Sequence, residues 1–265
     1  MSAPAPSAAT APAKVPRRSL ARVFWRSLFL QASWNRRGMQ NLGFAYAIDP
    51  ALRALYAEPA RREEALRRHL GFFNSHPYMA AAIVGGAIHH EERVASGVEP
   101  ARGPLTYKQT LQGPLAAIGD GFFWTALRPF FGALAALGAL LFGAAAIVVV
   151  LVAYNAVHFV FRAGLFLAGY RQGDRLVATI ARLSLPVAAD RLRAAGAGLC
   201  GAAAAVFLFR AGAASGPVAA ALAALAAGAG YVALARGARL LPTAYVATLV
   251  GVGAAFLLGH LHGSS

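Results

Sequence analysis

Between Arg128 and Arg162 the chain carries no formally charged residue, so that residues 129–161 form one uninterrupted uncharged run of 33 positions. About 20 apolar residues in helix cross a hydrocarbon layer of about 30 Å, and this stretch therefore predicts a membrane helix with length to spare. Composition agrees, since 58% hydrophobic and 13% charged residues in 265 is far from the balance of a water-soluble domain.

Three further apolar segments, 194–209, 211–235 and 240–259, follow this run and are separated by Arg210 and by Arg236 and Arg239. Residues 162–193 hold six arginines against Asp174 and Asp190, which the positive-inside rule assigns to the cytoplasm. The loops beyond then alternate, and the C-terminus faces outside. Two shorter apolar stretches precede the long run. Residues 79–88 (MAAAIVGGAI) amount to roughly 15 Å of helix, too little to span alone. Residues 113–124 are interrupted by Asp120 and by Gly113, Pro114, Gly119 and Gly121. Short segments broken by Gly and Pro are the pattern of re-entrant hairpins and discontinuous helices, which the membrane tolerates only beside protein or a wet cavity.

Lys plus Arg exceed Asp plus Glu by 25 to 10. Seven of the basic residues fall between Lys14 and Arg37 without an acid, interspersed with Phe24, Leu28 and Trp34, as in an amphipathic helix on the inner leaflet. Arginines flanking membrane segments account for the +15 net charge, so a nucleic-acid partner is not expected. The first 19 residues form a Pro/Ala-rich tail without the apolar core of a signal peptide, expected to be disordered and cytoplasmic. Around 59–70, Pro59 suits a first helical position, Glu63 and Glu64 stand four before Arg67 and Arg68, and Gly71 ends the helix.

Signatures of soluble enzymes are missing. Gly196, Gly198 and Gly201 match GxGxxG, but no strand precedes them and no acid follows at the ribose distance; small residues for close helix packing, as at Gly212 and Gly216, account for them better. His90, Glu91 and Glu92 fail the HExxH spacing because Val94 stands where the second His belongs, and a hydrated helix end is expected there. A lone Cys200 excludes an intrachain disulfide and a thiolate cluster and reads as a small buried residue. No GxSxG elbow and no phosphate-binding loop occur. No catalytic residue, metal or cofactor is expected on this chain.

The remaining pattern is specific. Residues 24–46 (FWRSLFLQASWNRRGMQNLGFAY), 69–79 (HLGFFNSHPYM) and 111–129 (LQGPLAAIGDGFFWTALRP) follow one another in an order and spacing that resemble the IID membrane subunits of the bacterial mannose-family sugar phosphotransferase systems. The likeness runs from about residue 20 to 173, ending in NAVHFVFRAGLFLAGYRQG. Beyond it, Ala- and Gly-rich runs replace larger aliphatic segments, and LLPTAYVATLVGVGAAFLLG resembles the family's closing helix. The expected organisation is thus a 1–19 tail, a 20–173 core with amphipathic helices, two re-entrant hairpins and a span, and 174–265 as membrane helices.

The resemblance implies an all-α, multi-pass protein of the bacterial inner membrane with a cytoplasmic N-terminus. It implies a hetero-oligomer with a IIC subunit, the pair forming a channel for a hexose or amino sugar that the cytoplasmic IIA and IIB phosphocarriers then phosphorylate. A non-transporting scaffold or regulatory paralogue in the membrane is the alternative. Asp120, between Gly119 and Gly121 and after Gly113 and Pro114, heads the translocation candidates, because an acid in a membrane hairpin needs a polar cavity or a partner. It reads either as an acceptor for sugar hydroxyls or as a carboxylate capping a helix or paired with Arg128. Asn74 and His76 are the second candidates, with Asn74 and Ser75 before Pro77 favoured as a helix cap. Gln31, Trp34, Asn35 and Asn41 suit subunit contact.

Overall fold

The computed structural model describes residues 14–216 and scattered positions to 232. It is helical throughout, with two isolated bridge pairings, Asn35 with Met39 and Met39 with Phe73, as the only β pairing among the described residues. The order is α1 (Arg17–Ser27), α2 (Asn41–Leu55), α3 (Pro59–His69), α4 (Ala80–Ala95), α5 (Gly103–Gly119), a π-helical segment (Asp120–Leu127), α6 (Arg128–Phe142), α7 (Ala145–Gln172), a 3-10 turn (Gly173–Arg175), α8 (Leu176–Arg182) and α9 (Leu185–Ser215).

The core forms around α4. All but a few of its residues are buried, against α2, α5 and α7. Its contact with α7 is glycine-made on both sides: a Cβ on Gly85 would fall on the Phe166 carbonyl oxygen, and one on Gly169 on that of Ala82. Only residues without a Cβ let two helix backbones approach so closely. At 16 residues α4 is about 24 Å long, short of a span, and the apolar stretch 79–88 is its first half.

Residues 113–124 interrupt a helix without turning the chain back. α5, the π segment and α6 follow each other without a break, making 40 residues from Gly103 to Phe142, about 60 Å of helix. The local cause of the wide turn is Pro129, which has no N–H to donate and whose ring crowds the carbonyl four residues earlier, that of Thr125. A π turn beforehand relieves that crowding. The Arg128 N–H reaches back to Phe123 O, Thr125 Oγ1 donates to Gly121 O at 2.7 Å, and Arg193 of α9 donates to Thr125 Oγ1 at 3.2 Å.

The uncharged run 129–161 is not one helix. Gly143, at φ +79°, ends α6, and the chain returns as α7 along its own path. The run is thus the closed end of a helical hairpin, whose tip exposes Phe142, Val148, Val149 and Val152. Gly103–Phe142 and the run Ala145–Phe207 are long and apolar enough to cross a membrane.

Beyond it, α9 starts at Leu185 and continues as helix through Arg210 to Ser215, so the separation of 194–209 from the next segment at Arg210 does not hold. The Gly196–Gly201 glycines lie within this helix, and Cys200 on it is exposed rather than buried. The segment 240–259 and most of 211–235 lie outside the described residues, as does the tail up to residue 13, while residues 17–19 already belong to α1.

α1 packs one face on the core and leaves Arg17, Arg18 and Arg22 exposed. It lies antiparallel to the C-terminal part of α7: Tyr170 shares Glu92 with Lys14, Phe24 meets Phe166 and Phe159 at ring distances of 5.6 and 5.5 Å, and Arg162 donates to the Ser27 carbonyl. α3 begins at Pro59 and carries the expected Glu63–Arg67 pair at 2.7 Å. Arg68 turns instead to Glu91 and to the Ala101 carbonyl.

Candidate functional site

The long α5–π–α6 helix presents one exposed face. Gly113, Ala117, Asp120, Trp124 and Arg128 recur at intervals of three or four and are all exposed, as the helical period requires of one face. Nothing stands within 4 Å of the position a Cβ would take on Gly113 or Gly121. Pro114 is exposed beside Gly113. The Asp120 carboxylate makes no hydrogen bond or ion pair among the described residues. Arg128 lies instead over the Trp124 ring at 5.5 Å, so the expected Asp120–Arg128 pair does not form. The stripe is small and polar at its centre and aromatic at its end. Lipid suits neither a free carboxylate nor bare helix backbone.

Behind this face lies a packed polar centre. His76 stacks on Phe123 at 4.9 Å and accepts the Tyr78 N–H on Nδ1 at 3.2 Å. Tyr78 stacks on His158 at 4.3 Å, and its hydroxyl shares a hydrogen bond with that of Tyr154 at 3.3 Å. A Cβ on Gly119 would collide with His76 Cβ, so the absence of that atom is what admits the imidazole. Arg162 closes the cluster from α7, buried, its guanidinium on the Ser27 carbonyl at the end of α1, where unpaired carbonyls favour a cation. Nε2 of His76, Nδ1 of His158 and Nε of Arg162 are buried without a partner among the described residues.

Asn74 and Ser75 do not cap α4, which begins three residues past Pro77 with no side-chain cap. The Asn74 N–H is held by Gln112 Oε1 at 3.1 Å, and Ser75 exchanges two backbone hydrogen bonds with the Gln40 side chain. The Asn74 side chain itself is exposed. Asn35 and Asn41 are spent inside the chain: Asn35 donates to Asn41 at 2.9 Å and accepts from the Gly38 N–H at 2.8 Å, while Asn41 donates to Leu70 O at 2.6 Å. Gln31 and Trp34 are exposed.

The structure therefore brings His76 and Gly119 together in the interior and leaves Gly113, Pro114, Asp120 and Asn74 on the surface, with Gly121 half-buried. Sequence reasoning missed Arg162, His158 and Tyr154, although their spacing of four along α7 puts them on one face. It also missed the charged end of α4. His90, Glu91 and Glu92, expected in water, are all buried. Glu91 accepts from Tyr56 at 2.7 Å and His69 at 2.9 Å, Glu92 from Lys14, the Val15 N–H and Tyr170, and His90 meets Glu99 at 2.9 Å. Burial pushes the Tyr56 hydroxyl to a higher pKa, reinforced by Glu91, so it stays protonated and donating. Val84, Ile88, Glu91 and Ala95 share a helical face, and that continuity with the apolar stretch was the available signal. The buried Lys108 ammonium sits on the carbonyls of His69 and Gly71 at 3.0 and 3.3 Å and over the rings of Phe44 and Phe73, satisfying the C-terminal end of α3.

Comparison with known proteins adds four findings. The family model described as the PTS system mannose/fructose/sorbose family IID component matches residues 14–208. The mannose-specific EIID component of Escherichia coli K12 is 47% identical over 116 residues, 43% of this chain and 41% of that protein. The sorbose-specific EIID component of Klebsiella pneumoniae is 34% identical over 165 residues, 62% of this chain and 60% of that one. A solved structure described as the mannose transporter ManYZ in complex with microcin E492 superposes with a TM-score of 0.58 at 35% identity, covering 72% of this chain and 70% of that one. The aligned parts thus span less than two thirds of the two EIID relatives.

Proposed function

The chain belongs to the mannose/fructose/sorbose family of phosphotransferase-system IID components, and from that premise we propose that it forms a sugar-translocation path in the bacterial inner membrane together with a IIC subunit. The observation that carries the proposal is the exposed stripe from Gly113 to Arg128. A carboxylate and two glycines lie open on a helix of membrane-crossing length, and another helix would cover them: the glycines allow close backbone approach, and Asp120 finds donors there. The ManYZ structure, a likeness in fold and sequence, supports a second membrane subunit as that cover.

In this reading the chain holds one wall of the path and makes no bonds. A hexose or amino sugar passes along the Asp120 face, where the carboxylate accepts hydrogen bonds from hydroxyls or fixes the partner helix. Gly121 leaves room beside it, and Asn74 lies on the same chain's surface. His76 and Gly119 act from behind by setting the π segment. Gln31 and Trp34 extend the subunit contact outside the stripe. Phosphorylation falls to cytoplasmic IIA and IIB carriers, on the side where the N-terminus lies.

The test is phosphoenolpyruvate-dependent uptake of labelled hexoses into vesicles holding this chain, its IIC partner and the soluble components, run beside co-purification of the two membrane subunits. Asp120→Asn is expected to lower uptake about tenfold, roughly the value of one lost charge-assisted hydrogen bond. Gly113→Leu is expected to lower co-purification. Undiminished uptake with this chain omitted would overturn the proposal in favour of a membrane scaffold.

A further inference from the structure

A groove of about 750 Å³ runs between α1 and α7, within the size range of ligand sites. Its ends differ in character. Lys14, Arg17 and Arg171 stand at one end, and Leu20, Ala21, Phe24, Ala163, Phe166 and Leu167 line the rest. The antiparallel packing of the two helices produces this polarity, because it sets the first turn of α1 beside the last turn of α7. Lys14 is bound to Glu92 at 2.7 Å. Arg17 and Arg171 are exposed and have no ion pair or hydrogen bond among the described residues. The apolar end continues onto exposed Trp25, Phe29, Phe159 and Val160, a surface suited to hydrocarbon with an aromatic edge.

We propose that this groove binds one anionic glycerophospholipid, the headgroup phosphate between Arg17 and Arg171 and an acyl chain along Leu20, Phe24, Phe166 and Leu167. Charge complementarity selects the occupant. Two free guanidiniums favour phosphate, which Arg binds through paired N–H groups, and a wholly apolar continuation favours an alkyl chain over a free anion. Among the described residues no acid lines the groove, and Glu92 behind it is spent on Lys14, the Val15 N–H and Tyr170, so a zwitterionic headgroup finds no open counter-charge for its amine. The site would fasten α1 to the core through a lipid and is independent of the sugar path, which lies on α5 and α6.

The experiment uses the full chain in detergent and quenching of tryptophan fluorescence by phosphatidylglycerol with a brominated acyl chain. Trp25, next to Phe24, serves as reporter in a background with Trp34→Phe and Trp124→Phe. Phosphatidylcholine with the same chains is the control for headgroup, and inorganic phosphate the control for a bare anion. Phosphatidylglycerol is expected to quench at concentrations several-fold below phosphatidylcholine, with phosphate unable to compete at equal concentration. Arg17→Gln and Arg171→Gln should each weaken it about fivefold, the effect of one cation near an anionic headgroup, and Ala21→Phe should weaken both lipids by filling the groove. Equal quenching by the two lipids would overturn the proposal, as would indifference to both arginine substitutions. Binding seen only after removal of residues 1–13 would give the groove to the chain's own N-terminus and overturn it as well.

Discussion

Glu91 and Glu92 are neighbours on α4 and point to different partners, one towards Tyr56 and His69, the other towards Lys14 and Tyr170. Buried carboxylates persist only when paired and hydrogen-bonded, and here each has three donors or more within reach. His69 in this network has a lowered pKa. Burial holds its pKa below the ordinary 6.5; Glu91 pulls the other way, and Lys108 and Arg68 add to the lowering. The unfolded chain thus takes up a proton near pH 6.5 that the fold accepts only at lower pH. The stabilisation from neutral His69 is complete above that value and is lost as pH falls through the lower, folded one. The thermal midpoint in detergent is therefore expected to drop as pH falls below about 6.5, and His69→Gln, which can still donate to Glu91, should flatten that drop. An unchanged slope in the variant would assign the sensitivity elsewhere. The face shared with Val84 and Ile88 was the local sign of this burial, but the chain that covers the cluster comes from residues 14, 56 and 69 and from residue 170, which local sequence does not bring together.

α4 and α7 meet through Gly85 and Gly169, and the contact is backbone on backbone. A side chain cannot rotate away from a carbonyl oxygen, so Gly169→Val should separate the two helices and cost several kcal/mol, as overpacking at rigid sites does. The expected outcome is loss of monodisperse protein in detergent, with Gly164→Val, at a position with nothing within 4 Å, behaving as wild type. At this scale the sequence was legible where period and composition decide: α3 begins at Pro59, whose fixed φ suits a first helical position, and an amphipathic α1 was readable from its arginines. It was less legible where tertiary packing overrides local cues. Gly and Pro in 113–124 signalled an interruption, and the structure answers with a π turn inside a continuous helix, with α4 packed along α5 and α9 along the π segment. The absence of charge across 129–161 signalled membrane but was silent about Gly143, whose positive φ folds the run in two.

Charge divides the whole molecule into levels. Arg128 on α6 and Arg162 on α7 bound the uncharged stretch 129–161 of the hairpin on the same side of its turn. Beyond that level the α6–α7 hairpin is uncharged, with arms of about 22 to 26 Å, slightly less than the hydrocarbon thickness. Its tip is then expected to stop short of the far surface. With Cys200→Ala as background, Ala144→Cys should resist a membrane-impermeant maleimide in sealed vesicles of either orientation, and labelling from the side opposite Arg128 would show a complete crossing. The same connectivity also sets a schedule for synthesis. Glu92 waits for Tyr170, 78 residues later, which at about 5 to 20 residues per second is some 4 to 16 s of translation. For that interval the acidic end already has Tyr56, His69, Arg68, Lys14 and the Val15 N–H and lacks Tyr170, while the face of α4 that carries Gly85 lacks α7. Close packing of α4 therefore ends only when α7 arrives to cover the Gly85 face, so the burial of α4 is completed after the synthesis of α7.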